Sequence, residues 1–267
     1  MLLKIEKTIL IWYNSLSLML QIQYGSNLIS LGLVIVDMQN GFVSKDGSYD
    51  KLGMNIENYQ QVIPNIKRLI NFCRNEKIPI FYTEAIREPS GIDLLLHIHN
   101  ILPRAREERL QNKKIPICMR DTWDARIIDE IKPAPEDHVI LKRRDSAFQD
   151  TELRVWLQSI HVNTLIFCGI DTSICVETSL RDAFNLGYDV ILVSDATASG
   201  SKKHYETTIE RVRDYYGVVI NIDDLKKMIQ TLDDLSKDET QSNDEENESI
   251  SQFLEKHNLI NVRKEKK

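Results

Sequence analysis

The sequence predicts an α/β protein with a three-layer αβα arrangement around a mostly parallel sheet, and three observations predict it. Short runs rich in β-branched residues alternate with helical patterns from residue 30 onward. The helical patterns place their apolar residues on one face, and strands that alternate with such helices form parallel sheets covered on both sides. The chain has 267 residues, of which 42% are hydrophobic, and this is enough for one sizeable domain of that class.

Six runs predict the strands of a six-stranded sheet: Leu31–Asp37, Ile78–Thr83, His138–Leu141, Thr164–Cys168, Tyr188–Val193 and Val218–Ile220. Helical patterns predict helices over Glu57–Lys77, Asp124–Ile131, Thr151–Ile160 and His204–Tyr216, and a further helix that carries Cys175. Pro64 is expected in the first turn of the first helix, where its missing N–H costs nothing. Residues 84–120 show no regular pattern, and we expect them to form loops that shape a pocket.

Residues 1–29 are predicted to be an extension that precedes a domain at residues 30–222. The apolar stretch Thr8–Leu20 follows two lysines, as the apolar part of a signal peptide would. It lacks a small-x-small cleavage site, and it is too short and too interrupted by polar residues to span a bilayer. We therefore expect an added helix or an unused upstream start, no membrane association and a cytoplasmic protein.

Residues 223–267 are predicted to be an acidic tail. The segment Asp233–Glu248, DDLSKDETQSNDEENE, is almost free of large apolar residues, which predicts disorder. Ser249–Leu259 is a candidate for a marginal helix. Our interpretation is a solvated tail, and the alternative is a contact with a partner chain or with the surface of the domain.

Charge and cysteine content exclude several classes of protein. The formal net charge of -6 argues against a nucleic-acid partner, which would require a basic face. The four cysteines, at positions 73, 118, 168 and 175, have no CxxC spacing and no paired histidines. Neither a zinc knuckle nor a disulfide framework is therefore predicted, and a reducing compartment fits best.

Three polar residues lie at or just beyond the ends of predicted strands. Asp37 ends the first strand in LVIVDMQNGF, Lys142 follows HVIL in LKRRDSAF, and Cys175 follows the strand TLIFC. The carboxyl ends of parallel strands meet at one edge of a sheet, where ligands bind. Taken singly, each residue has another interpretation: a turn cap, a surface amine and a core thiol.

Together these three side chains form a set that can hydrolyse an amide covalently. A nearby ammonium and a helix N-terminus both favour the thiolate that attacks a carbonyl, so we expect a depressed pKa for Cys175. A carboxylate in reach can take the thiol proton and pass it to a leaving amine. Backbone N–H groups of the IDTSIC turn are placed to hold the oxyanion.

The chain resembles the isochorismatase-like cysteine hydrolases over roughly residues 30–222. The motifs that carry the resemblance are VDMQNGF, KRRDSAF, GIDTSICVETSLRDA and VSDATAS, which occur in that order along the chain. The resemblance implies a six-stranded parallel sheet and assembly as a homodimer or homotetramer. It also implies an enzyme that acts on a small-molecule substrate without a cofactor.

The resemblance places the family's catalytic triad on Asp37, Lys142 and Cys175. It also implies a cis peptide bond between Ile170 and Asp171, which turns the N–H groups of Asp171 and Cys175 toward the oxyanion. Many members carry a small residue where this chain has Asp171. We expect the Asp171 carboxylate to point away from the thiol.

The same resemblance narrows the reaction to amides and related C–N bonds. Isochorismatases proper lack the cysteine, and nicotinamidases add a metal site with an Asp-x-His pair that is absent from TEAIRE after the second strand. His97 and His99 are the nearest imidazoles, and we predict no catalytic metal. The branch of the family that acts on ureido and carbamoyl compounds remains. The alternatives are a nicotinamidase-type amidase and a catalytically inactive binding module of the same family.

Several residues are predicted to contact the substrate. Trp123 is a candidate to stack on a planar ureido group, although packing of a loop is an equal interpretation. Gln39 and Phe42 are predicted to line the pocket. Guanidinium groups bind carboxylates in a bidentate manner, and this makes the chain's arginines in the loops after the second and third strands candidates for an acid group on the substrate: Arg87, Arg143 and Arg144.

Overall fold

The computed structural model describes residues 29–93 and 115–238, with residues 232–238 described as backbone only. Nearly all of the predicted N-terminal extension, both His97 and His99, and the predicted helix at Ser249–Leu259 lie outside the described residues. Most of the irregular stretch that is expected to shape the pocket also lies outside them.

Six strands form one parallel sheet in the order β3-β2-β1-β4-β5-β6. Their bounds are Leu31–Val36 (β1), Ile80–Ala85 (β2), His138–Lys142 (β3), Thr164–Ile170 (β4), Asp189–Ala198 (β5) and Val218–Ile220 (β6). Every residue of β4 is buried, as expected for a central strand with both faces covered. The predicted fold class, a three-layer αβα protein with a six-stranded sheet, is confirmed.

Seven helices lie between the strands, and an eighth follows the last strand. They are Asn40–Val43 (α1), Ser48–Lys51 (α2), Glu57–Gln60 (α3), Ile63–Asn75 (α4), Leu153–Ser159 (α5), Glu177–Asn185 (α6), Lys202–Tyr215 (α7) and Ile222–Asp238 (α8), counted over the described residues. Pro64 lies in the first turn of α4, as predicted.

The alternation of side chains along β1 divides the core into two layers. Leu33 and Ile35 face a cluster that includes apolar residues of α4 and α8. Val34 and Val36 face the other cluster, to which α5, α6 and α7 contribute. Successive side chains of a strand point to opposite faces of the sheet, and the two clusters are therefore the two interfaces of the αβα arrangement.

The segment Asp124–Ile131 is not the helix that its spacing predicts. It contains two short 3-10 turns, Trp123–Ala125 and Asp129–Ile131, separated by extended backbone. The Asn40 N–H donates to the Arg126 carbonyl at 2.9 Å, and the Ile128 N–H donates to the Met38 carbonyl at 3.0 Å. Pairing with the segment after β1 therefore replaces the helical hydrogen bonds.

Helix α8 begins where the sequence predicts the start of an acidic tail, and the sequence predicts no helix there. Four of its residues are almost completely buried: Ile222, Leu225, Met228 and Ile229. The Ile222 N–H donates to the Asp195 carboxylate at 3.0 Å, which ties the start of the helix to β5. The core thus continues past residue 222, and the helix covers the first residues of the stretch predicted to be disordered.

Candidate active site

The three predicted catalytic residues lie at the same edge of the sheet. Asp37 follows β1, Lys142 is the last residue of β3, and Cys175 lies in the turn that follows β4. The neighbours of β1 are β2 on one side and β4 on the other, so the strand order reverses at this point. In open parallel sheets such a reversal opens a crevice beyond the strand ends, where ligands bind.

Asp37 and Lys142 form an ion pair in the interior. Lys142 Nζ lies 2.8 Å from Asp37 Oδ2, and both side chains are at most 2% exposed. Lys142 Nζ also donates to the carbonyls of Arg144 at 3.0 Å and Asp145 at 3.1 Å. The ammonium therefore has one oxygen neighbour for each of its three N–H bonds.

The charge of Lys142 is retained despite its burial. Burial alone would lower the pKa of Lys142, but the Asp37 carboxylate, with a further contribution from Asp145, raises it overall. An ammonium without such partners would lose its proton more readily in a dry site. The site therefore contains a permanent positive charge.

Thr83 also belongs to the site, although the sequence analysis did not single it out. Its hydroxyl donates to Asp37 Oδ1 at 2.6 Å and accepts from the Asp37 N–H at 3.1 Å. Thr83 lies on β2, between β1 and β3, and is fully buried. Its position as the last residue of the predicted second strand was the available signal. These contacts fix one oxygen of the Asp37 carboxylate.

The second oxygen of Asp37 remains available to the thiol. No hydrogen bond of good geometry reaches Asp37 Oδ2 from the described residues, although Lys142 lies beside it. The Asp37 carboxylate raises the pKa of the Cys175 thiol, and the positive charge of Lys142 lowers it, so both groups lie close enough to act on the sulfur. The carboxylate, the ammonium and the sulfur therefore share one corner of the sheet.

The pKa of Cys175 differs from the sequence-based expectation. Burial raises it above the ordinary value of a thiol; Lys142 lowers it, and the carboxylates of Asp37 and Asp145 raise it further. Helix α6 begins only at Glu177, because residues Thr172–Val176 form a π-helical turn. Desolvation and two carboxylates outweigh one ammonium, and this raised pKa favours the protonated thiol at neutral pH.

The turn that carries Cys175 is held from both ends. The carbonyl of Asp171 accepts from the N–H groups of Ile174 and Val176, both at 3.1 Å. The hydroxyl of Ser179 donates to the Cys175 carbonyl at 2.7 Å. The peptide bond between Ile170 and Asp171 is cis, as the resemblance implies.

Gly169 allows β4 to lie close to β1 just before this turn. Its φ of +102° is in the left-handed region, and a Cβ atom there would lie 2.2 Å from the Val36 carbonyl oxygen. A side chain at this position would therefore push the ends of β1 and β4 apart. Because Asp37 and Cys175 follow these two ends, the glycine helps to bring them together.

The Asp171 carboxylate is occupied by groups other than the thiol. Oδ1 accepts from the Ser173 N–H at 2.8 Å, from the Ser173 hydroxyl at 2.7 Å and from the hydroxyl of Ser199. Oδ2 accepts from the Tyr59 hydroxyl at 2.8 Å and from the Gly200 N–H at 2.9 Å. None of these five donors is Cys175, in line with our expectation for Asp171.

The Gln39 side chain makes its hydrogen bonds to the backbone, and its predicted place in the pocket stays a prediction. Its side chain is fully buried. The Gln39 amide nitrogen donates to the Ala85 carbonyl at 3.0 Å and to the Ala125 carbonyl at 2.7 Å, while its oxygen accepts from the Ala85 N–H at 2.8 Å. Gln39 thus joins the segment after β1 to the end of β2 and to the 3-10 turn at Trp123–Ala125.

The two aromatic candidates differ in exposure. Phe42 is partly buried and packs edge-on against Tyr49, with 4.7 Å between the ring centroids. Trp123 is 48% exposed, and its carbonyl accepts from the Asn40 side chain at 3.0 Å. Trp123 is therefore accessible to a ligand, and its contact with substrate remains a prediction, as does that of Phe42.

The three candidate arginines do not share one environment. Arg143 forms an ion pair with Glu88, which also pairs with Arg120 at 3.2 Å. Arg87 and Arg144 instead donate to backbone carbonyls. The carboxylate of Glu88 thus neutralises Arg143 and leaves the other two guanidinium groups as candidates for an acid.

The possible metal ligands that the structure describes lie in residues 29–93 and 115–238. No group of three or more His, Cys, Asp or Glu side chains in that part of the chain is arranged to hold a metal ion. His97 and His99 fall outside it. The absence of a catalytic metal stays a prediction. In the same part of the chain, the helices are all too short or too polar to cross a bilayer.

Comparisons with known proteins place this arrangement in a family. A ureidoacrylate amidohydrolase, RutB, from Serratia proteamaculans is 34% identical over 202 residues, which are 72% of this chain and 79% of that protein. The solved structure of an isochorismatase family protein from Desulfovibrio vulgaris is 26% identical, with a TM-score of 0.64, and covers 75% of this chain and 98% of its own.

A further solved structure, N-carbamoylsarcosine amidase from Thermoplasma acidophilum, shares the fold. It is 24% identical with a TM-score of 0.55, over 72% of this chain and 96% of its own. The Isochorismatase domain matches residues 32–224, which include β1 from its second residue onward, all of β2 to β6 and all three predicted catalytic residues. The chain therefore belongs to the isochorismatase family of hydrolases.

Proposed function

We propose that this protein is a cysteine-dependent amidohydrolase that cleaves a C–N bond of a small ureido, carbamoyl or amide compound and releases ammonia. The observation that carries the proposal is the meeting of Asp37, Lys142 and Cys175 at one corner of the sheet. The similarity to an amidohydrolase that is named for ureidoacrylate supports the choice of ureido compounds.

The first step is attack by Cys175. The thiol is neutral at rest, so it needs a base, and the open Oδ2 of Asp37 is the acceptor for its proton. As the proton moves to Asp37, the sulfur forms a bond to the carbonyl carbon, and the electron pair of the C=O bond moves to oxygen. A base beside the nucleophile activates thiols in this way without a preformed thiolate.

The negative charge that develops on oxygen is stabilised in two ways. The N–H groups of Asp171 and Cys175 are the proposed donors to the oxyanion. Lys142 contributes through its charge, because its Nζ already lies within 3.1 Å of three oxygen atoms. Lys142 also holds the Asp37 carboxylate in place beside the thiol.

Collapse of the tetrahedral species then breaks the C–N bond. Asp37 returns the proton to the departing nitrogen, which leaves as ammonia when the substrate ends in a carbamoyl or primary amide group. A thiocarbamate or thioester on Cys175 remains. Water attacks this carbon with Asp37 again as the base, and the C–S bond breaks as the sulfur recovers a proton.

Release of ammonia from a substrate panel tests the proposal. The full chain is incubated with ureidoacrylate, N-carbamoyl amino acids, biuret and nicotinamide. We expect ammonia from ureido or carbamoyl compounds and a loss of at least about 10³-fold in Cys175→Ala, because the other nucleophile types on this turn, the hydroxyls of Thr172 and Ser173, are hydrogen-bonded to Thr197 and Asp171. Circular dichroism checks that the variant is folded.

A core thiol provides the matched control. Cys73 is fully buried on α4, so Cys73→Ala should keep turnover while it lowers the thermal midpoint. Turnover retained in Cys175→Ala would contradict the covalent mechanism. Hydrolysis of nicotinamide alone would identify a nicotinamidase-type enzyme, and a folded protein that hydrolyses nothing would identify an inactive binding member. Cytoplasmic location and assembly as a homodimer or homotetramer belong to the same proposal.

A further inference from the structure

Lys142 and Cys175 meet although the strands that precede them are far apart in the sheet. The strand order places β2 and β1 between β3, which ends in Lys142, and β4, which precedes Cys175. Neighbouring strands lie about 4.8 Å apart, so β3 and β4 are separated by roughly 14 Å. The hydrogen bonds of the sheet therefore do not join these two strands directly, and contacts beyond the strand ends must hold the lysine and the thiol together.

The residues that follow β3, 143–151, hold the lysine ammonium, and we call them the lysine loop. Lys142 Nζ donates to the carbonyls of Arg144 at 3.0 Å and Asp145 at 3.1 Å. A displacement of the lysine loop would therefore carry the ammonium with it.

Ser179 joins the lysine loop to the turn of the nucleophile. It lies on α6 and is fully buried. Its hydroxyl accepts from the Ala147 N–H at 2.8 Å and donates to the Cys175 carbonyl at 2.7 Å. A serine hydroxyl has one hydrogen to donate and two lone pairs, so both bonds form at the same time. One oxygen atom thus connects the backbone of the lysine loop to the backbone of Cys175.

This junction lies in the core. Ala147, Val176 and Leu180 belong to one core cluster and are fully buried. A buried N–H or C=O group needs a partner within the protein, because water does not reach it. Without the Ser179 hydroxyl, the Ala147 N–H and the Cys175 carbonyl would lose this partner, and the loop and the turn would shift relative to each other.

We propose that Ser179 is a positioning residue that fixes the distance between Lys142 and Cys175 by fastening the lysine loop to the turn after β4. The inference rests on the proposed function, in which the thiol reacts beside the Asp37–Lys142 ion pair. Ser179 acts through the backbone of its two partners. Its loss should therefore act on kcat more than on KM, because a displacement of about 1 Å can cost about 10²-fold in rate.

Turnover of Ser179→Ala in the full chain tests the inference. With the compound of the substrate panel that reacts fastest, we expect kcat to fall by about 10- to 100-fold and KM to change by less than about threefold. Ser159→Ala is the matched control, because the Ser159 hydroxyl also donates to the carbonyl four residues earlier, that of Val155, at 2.7 Å. It should leave kcat and KM unchanged. A folded Ser179→Ala that retains kcat would overturn the inference.

Alkylation by iodoacetamide separates positioning from a merely structural role. Movement of the lysine loop takes Lys142 and Asp145 away from the sulfur together, and Lys142, which lowers the pKa of Cys175, has the larger effect of the two. The pKa should therefore rise in Ser179→Ala, and alkylation should become several-fold slower. Loosened packing alone would expose the thiol and make alkylation faster, and that result would overturn the inference.

The background Lys142→Met identifies the cause of the slower alkylation. Without the lysine charge, Ser179→Ala should no longer slow the reaction, because the charge whose position it controls is absent. Equal slowing with and without Lys142 would contradict the inference. Thermal unfolding checks that each variant is folded.

A second variant loosens the same loop more mildly. The Thr151 hydroxyl donates to the Ala147 carbonyl at 2.5 Å and so helps to hold the residue that Ser179 binds. Thr151→Val should lower kcat by a smaller factor and slow alkylation in the same direction. It decides the inference if Ser179→Ala does not fold, and unchanged kcat and alkylation in Thr151→Val would then overturn it.

Failure of the proposed function can be separated from failure of this inference. If the wild-type protein releases ammonia from none of the compounds in the panel, the proposed function fails. The alkylation measurements then still decide the inference, because they need no substrate. If the wild-type protein and Ser179→Ala are equally active, the inference fails and the proposed function stands.

Discussion

Two aspartates flank the turn that carries Cys175, and their surroundings are opposite in kind. Asp37 receives one hydroxyl on Oδ1, from Thr83, while its Oδ2 faces Lys142 and the thiol without a hydrogen bond of good geometry. Asp171 receives five hydrogen bonds, which occupy both of its oxygens. One carboxylate is paired with a cation, and the other is held by neutral donors alone.

The comparison separates a base from a structural carboxylate. A general base must be held in position by its neighbours, and one of its oxygen lone pairs must stay free to accept a proton. Asp37 meets both conditions, because Thr83 and Lys142 orient it and leave Oδ2 accessible. Asp171 does not meet the second, and it instead connects the turn to α3 through Tyr59 and to the end of β5 through Ser199. We therefore assign proton transfer to Asp37, the carboxylate with fewer hydrogen bonds.

The largest expected effect is that of Asp37→Asn. The amide keeps the shape of the side chain but cannot take a proton from the thiol, so kcat/KM should fall by about 10²- to 10⁴-fold, the range for loss of a general base. Steady-state ammonia release measures the loss, and thermal unfolding checks the fold. Asp171→Asn is the isosteric control and should reduce kcat/KM by less than about tenfold. Equal losses in the two variants would contradict the assignment.

The next effect concerns the reactivity of the thiol. Burial and the carboxylates of Asp37 and Asp145 raise the pKa of Cys175, and Lys142 lowers it. Asp37→Asn removes the negative charge that raises the pKa of Cys175, while Lys142 remains. The pKa of Cys175 should therefore fall, and the thiolate fraction at neutral pH should increase. We expect alkylation by iodoacetamide at pH 7 to become several-fold faster, although turnover is lost.

The pH profile of alkylation checks the sign of this effect. In the wild-type protein the rate should still be increasing above about pH 9, beyond the ordinary thiol value, because the raised pKa keeps Cys175 protonated there. Lys142→Met removes the lowering charge and should slow alkylation further at every pH. Slower alkylation in Asp37→Asn than in the wild type would contradict the proposed electrostatics. A folded variant is confirmed by the same thermal unfolding measurement.

The smallest effect is that of Tyr59→Phe, which removes one hydrogen bond to Asp171. Tyr59 is 2% exposed and donates to a charged acceptor, so the free energy of unfolding should fall by about 1.5–3 kcal/mol. Tyr205→Phe is matched, because its hydroxyl donates to the neutral Ser194 carbonyl at 2.8 Å. It should cost about 0.5–1.5 kcal/mol. Urea unfolding measures both, and a larger loss in Tyr205→Phe would refute the comparison.

The sequence predicted the parts of the molecule that local patterns determine. Strand-like runs that end in Asp37 and Lys142 located two members of the site, because polar residues at the carboxyl ends of parallel strands share one edge. Thr83 ends the second predicted strand, but only the strand order, with β2 between β1 and β3, brings its hydroxyl to Asp37. Contacts between distant segments of this kind are not visible in local patterns.

Three further findings depended on tertiary context. The buried face of α8 is hidden in an acidic stretch, where overall composition indicated a solvated tail. Gln39 is a polar residue in a motif of the site, yet its amide is used by backbone groups of Ala85 and Ala125. The pKa of Cys175 rises because desolvation, which sequence spacing does not reveal, is the largest contribution.

The triple tethering of Lys142 has a consequence for the order of events in the proposed reaction. An amine fastened to one carboxylate and two main-chain oxygens cannot swing out to transfer protons, so we assign that transfer to Asp37. Because Asp37 holds one proton at a time, it must give that proton to the departing ammonia before it can deprotonate the attacking water. Ammonia then has to depart ahead of hydrolysis, and the kinetics should be of the double-displacement type.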